Sequence, residues 1–272
     1  MMCGLRIVPA LAVGSLFMMA ADPAHGQRGP LVADRPDFTE AAATVGRGVF
    51  QLEFGYTYEY DRPEGAGGSW VHSLGEALLR VGVLSEALEV RLGLSPVSAG
   101  ARADGRSLTE TGMEDLYLGI KLLLTEQDGL RPATAILPQT TVPSGSTAFT
   151  SDRTLPGVNF IYSWDLSQTV TLAGSTQVNR AVAESRGAGE EYREWTQSVV
   201  AGFSVGARAG VYAEWFGRLH DEPLGTRSEH YANGGFTWSV GDDVQWDIRV
   251  GVGLNESATG FFTGTGLVVR MP

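Results

Sequence analysis

From Phe50 to Tyr60 the chain alternates without a fault: Phe50, Leu52, Phe54, Tyr56, Tyr58 and Tyr60 on one side, Gln51, Glu53, Gly55, Thr57 and Glu59 on the other. A period of two belongs to a β-strand with unlike faces. The pattern returns with Leu88, Val90, Leu92 and Leu94, with Leu116, Leu118, Ile120 and Leu122, and with Trp246, Ile248, Val250 and Val252. It predicts about twelve strands, near residues 48–60, 70–83, 87–95, 113–124, 131–143, 155–164, 168–180, 194–205, 209–219, 230–240, 244–254 and 260–271.

The connections alternate too. Residues 84–86, 125–130, 165–167, 206–208 and 241–243 form short turns, and the longer polar or Gly-rich segments 61–69, 96–112, 144–154, 181–193, 220–229 and 255–259 lie between them. An even strand number with short turns at one end and long loops at the other is the pattern of a closed antiparallel transmembrane β-barrel of the bacterial outer membrane. Both chain ends then fall on the periplasmic, short-turn side. A soluble sandwich also has strands with one polar face, but it gives no reason for aromatic residues to gather at strand ends. Trp164, Trp238 and Trp246 stand beside the short turns, and Trp70 and Trp195 beside the long loops, as two interfacial girdles would require.

Ahead of the strands, Arg6, an apolar run from Ile7 to Ala21 and the small-residue site Ala24-His25-Gly26 read as a cleaved export signal covering residues 1–26. Cys3, the only cysteine, leaves with it, so the mature barrel has no disulfide. No later stretch is apolar for long enough to cross a bilayer as a helix. Residues 27–47 are too polar and Pro-interrupted for a membrane strand, so they form a periplasmic segment that rests in the barrel mouth or folds into the lumen, and the barrel occupies 48–272. A net charge of −11 with no basic patch excludes nucleic acid as a partner.

If the apolar face meets lipid, the other lines the lumen. Glu53, Glu76, Glu89, Glu214 and Asp247 there oppose Arg80, Arg91, Lys121, Arg218, Arg249 and Arg270. Two readings stand side by side: salt bridges that fill a narrow barrel, or a charged constriction that orients a permeant. Among them are Leu78, Tyr117, Leu123, Ile161, Tyr212, Phe216 and Val268, apolar walls of the kind that suit a partly apolar solute. His72 shares parity with Arg80, and His220 with Glu214, which points both into the lumen. A lipid-facing hydrolase site needs its histidine outside. No pair of ligands has metal-site spacing, so no catalytic residue, metal or cofactor is expected.

Asp34-Arg35-Pro36-Asp37-Phe38-Thr39-Glu40 followed by Phe50-Gln51-Leu52-Glu53 resembles the opening of a MetA-like family named for a meta-pathway of phenol degradation and commonly described as outer-membrane transporters. Similar stretches are Leu79–Gly82, Leu88–Leu92, Asp115–Lys121, Val142–Gly145, Phe160–Leu166 and Phe262–Arg270. The resemblance implies a barrel that takes up small apolar or aromatic solutes, and it carries over no catalytic residue. The chain departs from the family's aromatic terminus by ending Arg270-Met271-Pro272, the strand that the barrel-assembly machinery would read. The sequence-based expectation is therefore a passive outer-membrane channel. A structural or adhesive barrel and an outer-membrane hydrolase remain as alternatives.

Overall fold

A computed structural model describes residues 29–61, 68–103, 106–182, 189–222 and 225–271. The expected export signal lies outside the described residues. The strands are β1 (Phe50–Asp61), β2 (Ser69–Gly82), β3 (Leu88–Leu94), β4 (Pro96–Ala103), β5 (Arg106–Met113), β6 (Leu116–Thr125), β7 (Ala133–Val142), β8 (Leu155–Asp165), β9 (Val170–Val182), β10 (Glu191–Val205), β11 (Ala209–Glu222), β12 (Gly225–Ser239), β13 (Val244–Gly253) and β14 (Phe261–Met271).

Twelve of them close an antiparallel barrel. β1 pairs with β2 on one side and with β14 on the other, so the sheet has no free edge around the bore. That closure lets every ladder hydrogen bond be made inside hydrocarbon. β4 and β5 are the exception. They continue β3 and β6 past the breaks at Ser95 and at Glu114-Asp115, forming a hairpin above the bore where the sequence predicts a loop over 96–112. The expected loop over 220–229 is likewise mostly strand, with β11 and β12 paired out to Glu222 and Gly225. Both segments are rich in polar and small residues on either face, and period two is then invisible as a hydropathy signal.

The packing is inverted relative to a soluble protein. The largest fully enclosed side chains include Arg80, Arg91, Lys121, Gln51, Glu53 and Glu89, while Ile120, Val250 and Phe50 are 52%, 51% and 46% exposed on the outside. Trp238 and Trp246 are direct cross-strand partners beside the turn from β12 to β13. The Trp164 indole N–H donates to the Leu130 carbonyl at 2.9 Å, at the same end.

One irregularity changes the sequence reading. Glu53 opposes Leu78 but Gly55 opposes Gly75, so β2 holds an additional residue, with φ of +92° at Gly75 and +27° at Glu76. Such a bulge reverses side-chain parity across it. His72 is therefore not in the lumen. It pairs with Tyr58 on the lipid side and shares a 2.8 Å hydrogen bond with the Tyr56 hydroxyl.

At the long-loop end two stretches of the family pattern meet. The Asp115 carboxylate accepts the amides of Ser144, Gly145 and Ser151 and the Ser151 hydroxyl, pinning residues 144–151 across the rim. Burial alone would raise its pKa, but the hydrogen bonds led by Ser151 bring it down to about 2.

Candidate functional site

Residues 29–46 run inside the barrel without joining its sheet. A buried backbone must still satisfy its amides and carbonyls, and here charged and polar side chains of the wall do so. The amides of Asp34, Phe38 and Thr39 donate to carboxylates, the first to Glu53 at 3.1 Å and the other two to Glu214 at 2.8 and 2.7 Å. The Val45 amide donates to Glu89 at 2.9 Å. In the other direction, Arg80 donates to the carbonyls of Val32 and Ala43, Lys121 to Ala41, Arg249 to Pro36 and Arg270 to Gly29.

Side chains of the segment complete three charge clusters. Asp34 is the hub of the first, pairing with Arg80 at 3.3 Å, Lys121 at 3.2 Å and Arg91. Arg80 also pairs with Glu53 and Glu89, each at 2.9 Å, and Arg91 with Glu40 at 2.8 Å. Burial would push the Asp34 carboxyl up, but the three bases, Arg80 foremost, hold it well below the usual aspartate range. In the second cluster Arg35 bridges Glu76 at 2.7 Å and Asp247 at 3.3 Å, and Arg249 reaches Thr57 at 2.6 Å. The third is Glu214, which receives the Thr39 hydroxyl at 2.7 Å and the Asn233 amide at 2.8 Å besides the two backbone amides.

On the far wall the contacts change character. β7 and β9 carry no charge facing the bore, β8 carries one only at its short-turn end, Asp165, and β10 one only near its loop end, at Glu194. Here the segment rests through Ala42, packed on Ala135, Leu137 and Ile161, and through Thr39, whose hydroxyl bonds Ser198, itself linked to Ser175. All of these are buried, so the segment is packed tightly against this wall at mid-depth. Towards the short turns a cavity of about 1790 Å³ opens between the segment and this wall, lined by Ser163, Thr171, Ala173, Val200, Gly202 and Tyr212 among others.

Residues 33–271 match the family described as "Putative MetA-pathway of phenol degradation". The chain belongs to this family. Among solved structures it is similar to the COG4313 outer membrane channel from Pseudomonas putida F1, with 12% identity, 85% of this chain and 98% of that one covered, and a TM-score of 0.66. It is also similar to the transport unit of the autotransporter AIDA-I from Escherichia coli (8% identity, 83% and 90% covered, TM-score 0.57) and to the translocator domain of the autotransporter NalP from Neisseria meningitidis (10%, 83% and 89%, 0.55). At these identities the likeness is one of fold: a closed barrel of the bacterial outer-membrane type. No curated protein matches the chain.

The family member's lumen gathers most of the residues singled out in its sequence, though not as one ring. Arg80, Arg91 and Lys121 converge with Glu53 and Glu89, whereas Arg249 belongs to the cluster of Glu76 and Asp247. Arg270 sits at the short-turn mouth on Asp243, 2.7 Å away. Leu78 stands between Glu53 and Gly93 on adjacent strands, the Tyr117 hydroxyl donates to Gln139 and that of Tyr212 to Asn233. Phe216 stacks in the loop-side half, below Arg218. Sequence reasoning missed the other half of each cluster: Asp34, Arg35, Phe38, Thr39 and Glu40. The signal was present as dense charge in a segment with no strand period, but an irregular segment announces no partner.

Proposed function

We propose that the protein is a passive channel for small, mostly apolar or aromatic solutes, which enter at the long-loop end and pass between the N-terminal segment and the wall of β7–β10, which is uncharged at mid-depth. One observation carries the reading. Most bases and acids of the lumen are spent on the segment, whereas the opposite wall offers mainly apolar groups, hydroxyls and amides, with carboxylates only at its two ends, Asp165 and Glu194. A permeant on that side meets little that would demand a charge, and such mixed walls suit partly apolar molecules. The family's description, with its mention of phenol, supports the same class of solute, and the fold shared with the outer membrane channel from Pseudomonas putida supports a channel. Segment 29–46 is the gate in this reading, and the enclosed bases are its fastening, with no catalytic role.

The test is permeation into liposomes of toluene, phenol, benzoate and a sugar of similar size, for the intact protein and for Asp34→Asn. The reading expects the substitution to raise entry of the aromatic solutes well above that of the sugar. Equal entry of all four describes a general pore, and no entry of any with the segment released favours a structural barrel.

A further inference from the structure

Phe38 is the one aromatic residue of the segment that lies flat on the barrel wall. Its ring stacks on Phe216 at 4.4 Å between centroids and 9° between planes, and Phe216 stacks in turn on Tyr231 at 4.6 Å. Phe262 closes the cluster edge-on to Tyr231 at 6.1 Å. Over the Phe38 ring stands the Arg218 guanidinium, 5.6 Å from the centroid. Every other base of the sequence-predicted set has an acidic partner, yet Arg218 makes no ion pair or hydrogen bond among the described residues, and its Nε is buried without a partner. Its cross-strand neighbour Glu229 is engaged instead by the Tyr231 hydroxyl at 2.9 Å and Arg227 at 3.2 Å. Glu59 acts on Arg218 electrostatically from beyond ion-pair distance.

A benzene ring satisfies the stacking surface but gives a guanidinium nothing to bond. A ring bearing a carboxylate would satisfy both, because the planar fork of arginine matches a carboxylate in two parallel hydrogen bonds while the ring keeps its stack. We propose that the face of Phe216 beneath Arg218 is a binding site for aromatic carboxylates, and that Phe38 is its resident competitor. Displacing Phe38 loosens the segment at the point where its next residue, Thr39, is held by Glu214 and Ser198. Ligand entry and release of the gate thereby draw on the same contact. The inference rests on the channel reading for its consequence, but the site itself is measured by binding alone.

The experiment is calorimetric titration of the folded, detergent-solubilised barrel with benzoate, phenol and toluene, using unheated gel mobility to verify closure of each variant. Removing the competitor in Phe38→Ala should tighten benzoate binding by about tenfold, since the site is then free more of the time. Phe38→Leu, which keeps an apolar side chain without the flat ring, should move the same way. Adding Arg218→Gln to Phe38→Ala should abolish the preference for benzoate over toluene. Benzoate affinity unchanged in both Phe38 variants overturns the proposal, as does a benzoate preference that survives Arg218→Gln. Binding as expected with no aromatic permeation in liposomes would remove the channel reading and leave the site standing.

Discussion

Lys121, the only lysine of the chain, meets Asp34, 87 residues away in sequence, at 3.2 Å in the middle of the bore. Asp34 also meets Arg80 and Arg91, so one carboxylate of the segment answers three bases contributed by β2, β3 and β6.

The first prediction follows from that sharing. Asp34→Asn leaves three enclosed bases without their common acid, and breaking a fully desolvated pair costs roughly 3–5 kcal/mol. The segment should undock, single-channel conductance in planar bilayers should rise, and the melting temperature should fall. Arg91→Ala should lower stability in the same direction but by less, because Arg80 and Lys121 still hold Asp34. Unchanged conductance and melting for Asp34→Asn would make the cluster incidental to closure.

A second prediction concerns pH. Burial raises the pKa of Asp37 well above its ordinary value near 3.8, the neighbouring Glu214 and Asp34 carboxylates raise it further, and its backbone hydrogen bond and Arg249 oppose them. A raised pKa in the docked state contributes docking stability that is complete below the ordinary value and is lost as pH climbs through the raised one. Asp34 has the opposite sign: its depressed pKa favours docking above the ordinary value, and that contribution fades only in stronger acid. Docking should therefore be tightest in mildly acidic solution, with conductance rising on the alkaline side. Asp37→Asn should flatten the alkaline rise, which conductance recorded across pH would reveal.

Orientation is tested by labelling whole cells. Cysteine at Glu256, exposed in the long connection after β13, should react with a membrane-impermeant thiol reagent. Cysteine at Ala207, exposed in the short turn between β10 and β11, should not. The opposite result would invert the barrel.

The bulge in β2 supplies the fourth prediction. His72 rests against Tyr58 and bonds Tyr56 on the lipid side, so His72→Ala should cost about 1 kcal/mol, the net worth of one hydrogen bond. It should leave conductance and permeation unchanged. A changed pore conductance would return His72 to the lumen and remove the bulge.

Much of the wall was legible in the chain. Phe50, Leu52 and Phe54 against Gln51, Glu53 and Thr57 could face lipid and lumen in only one way, because a strand offers each residue one of two sides. The proximity of Arg80 and Glu89 could be anticipated from the short turn between their strands, and the two are paired diagonally at 2.9 Å, Arg80 standing opposite Arg91. The inversion at Gly75-Glu76 was not legible, since a single additional residue leaves no mark on composition while it reverses every side chain before it.

What the sequence determined by itself is therefore the barrel wall: the strands that span it, the alternation of turns and loops, and the polarity of its two faces. These follow from local periodicity, which lipid on one side and an enclosed lumen on the other make compulsory. What only the tertiary structure decided is the occupant of that lumen. Asp34, Arg35 and Phe38 find their partners on strands scattered from β1 to β13. A segment without a repeating backbone hydrogen-bond pattern has no period to read, and its place is set by which distant side chains can satisfy its buried amides, carbonyls and charges at once.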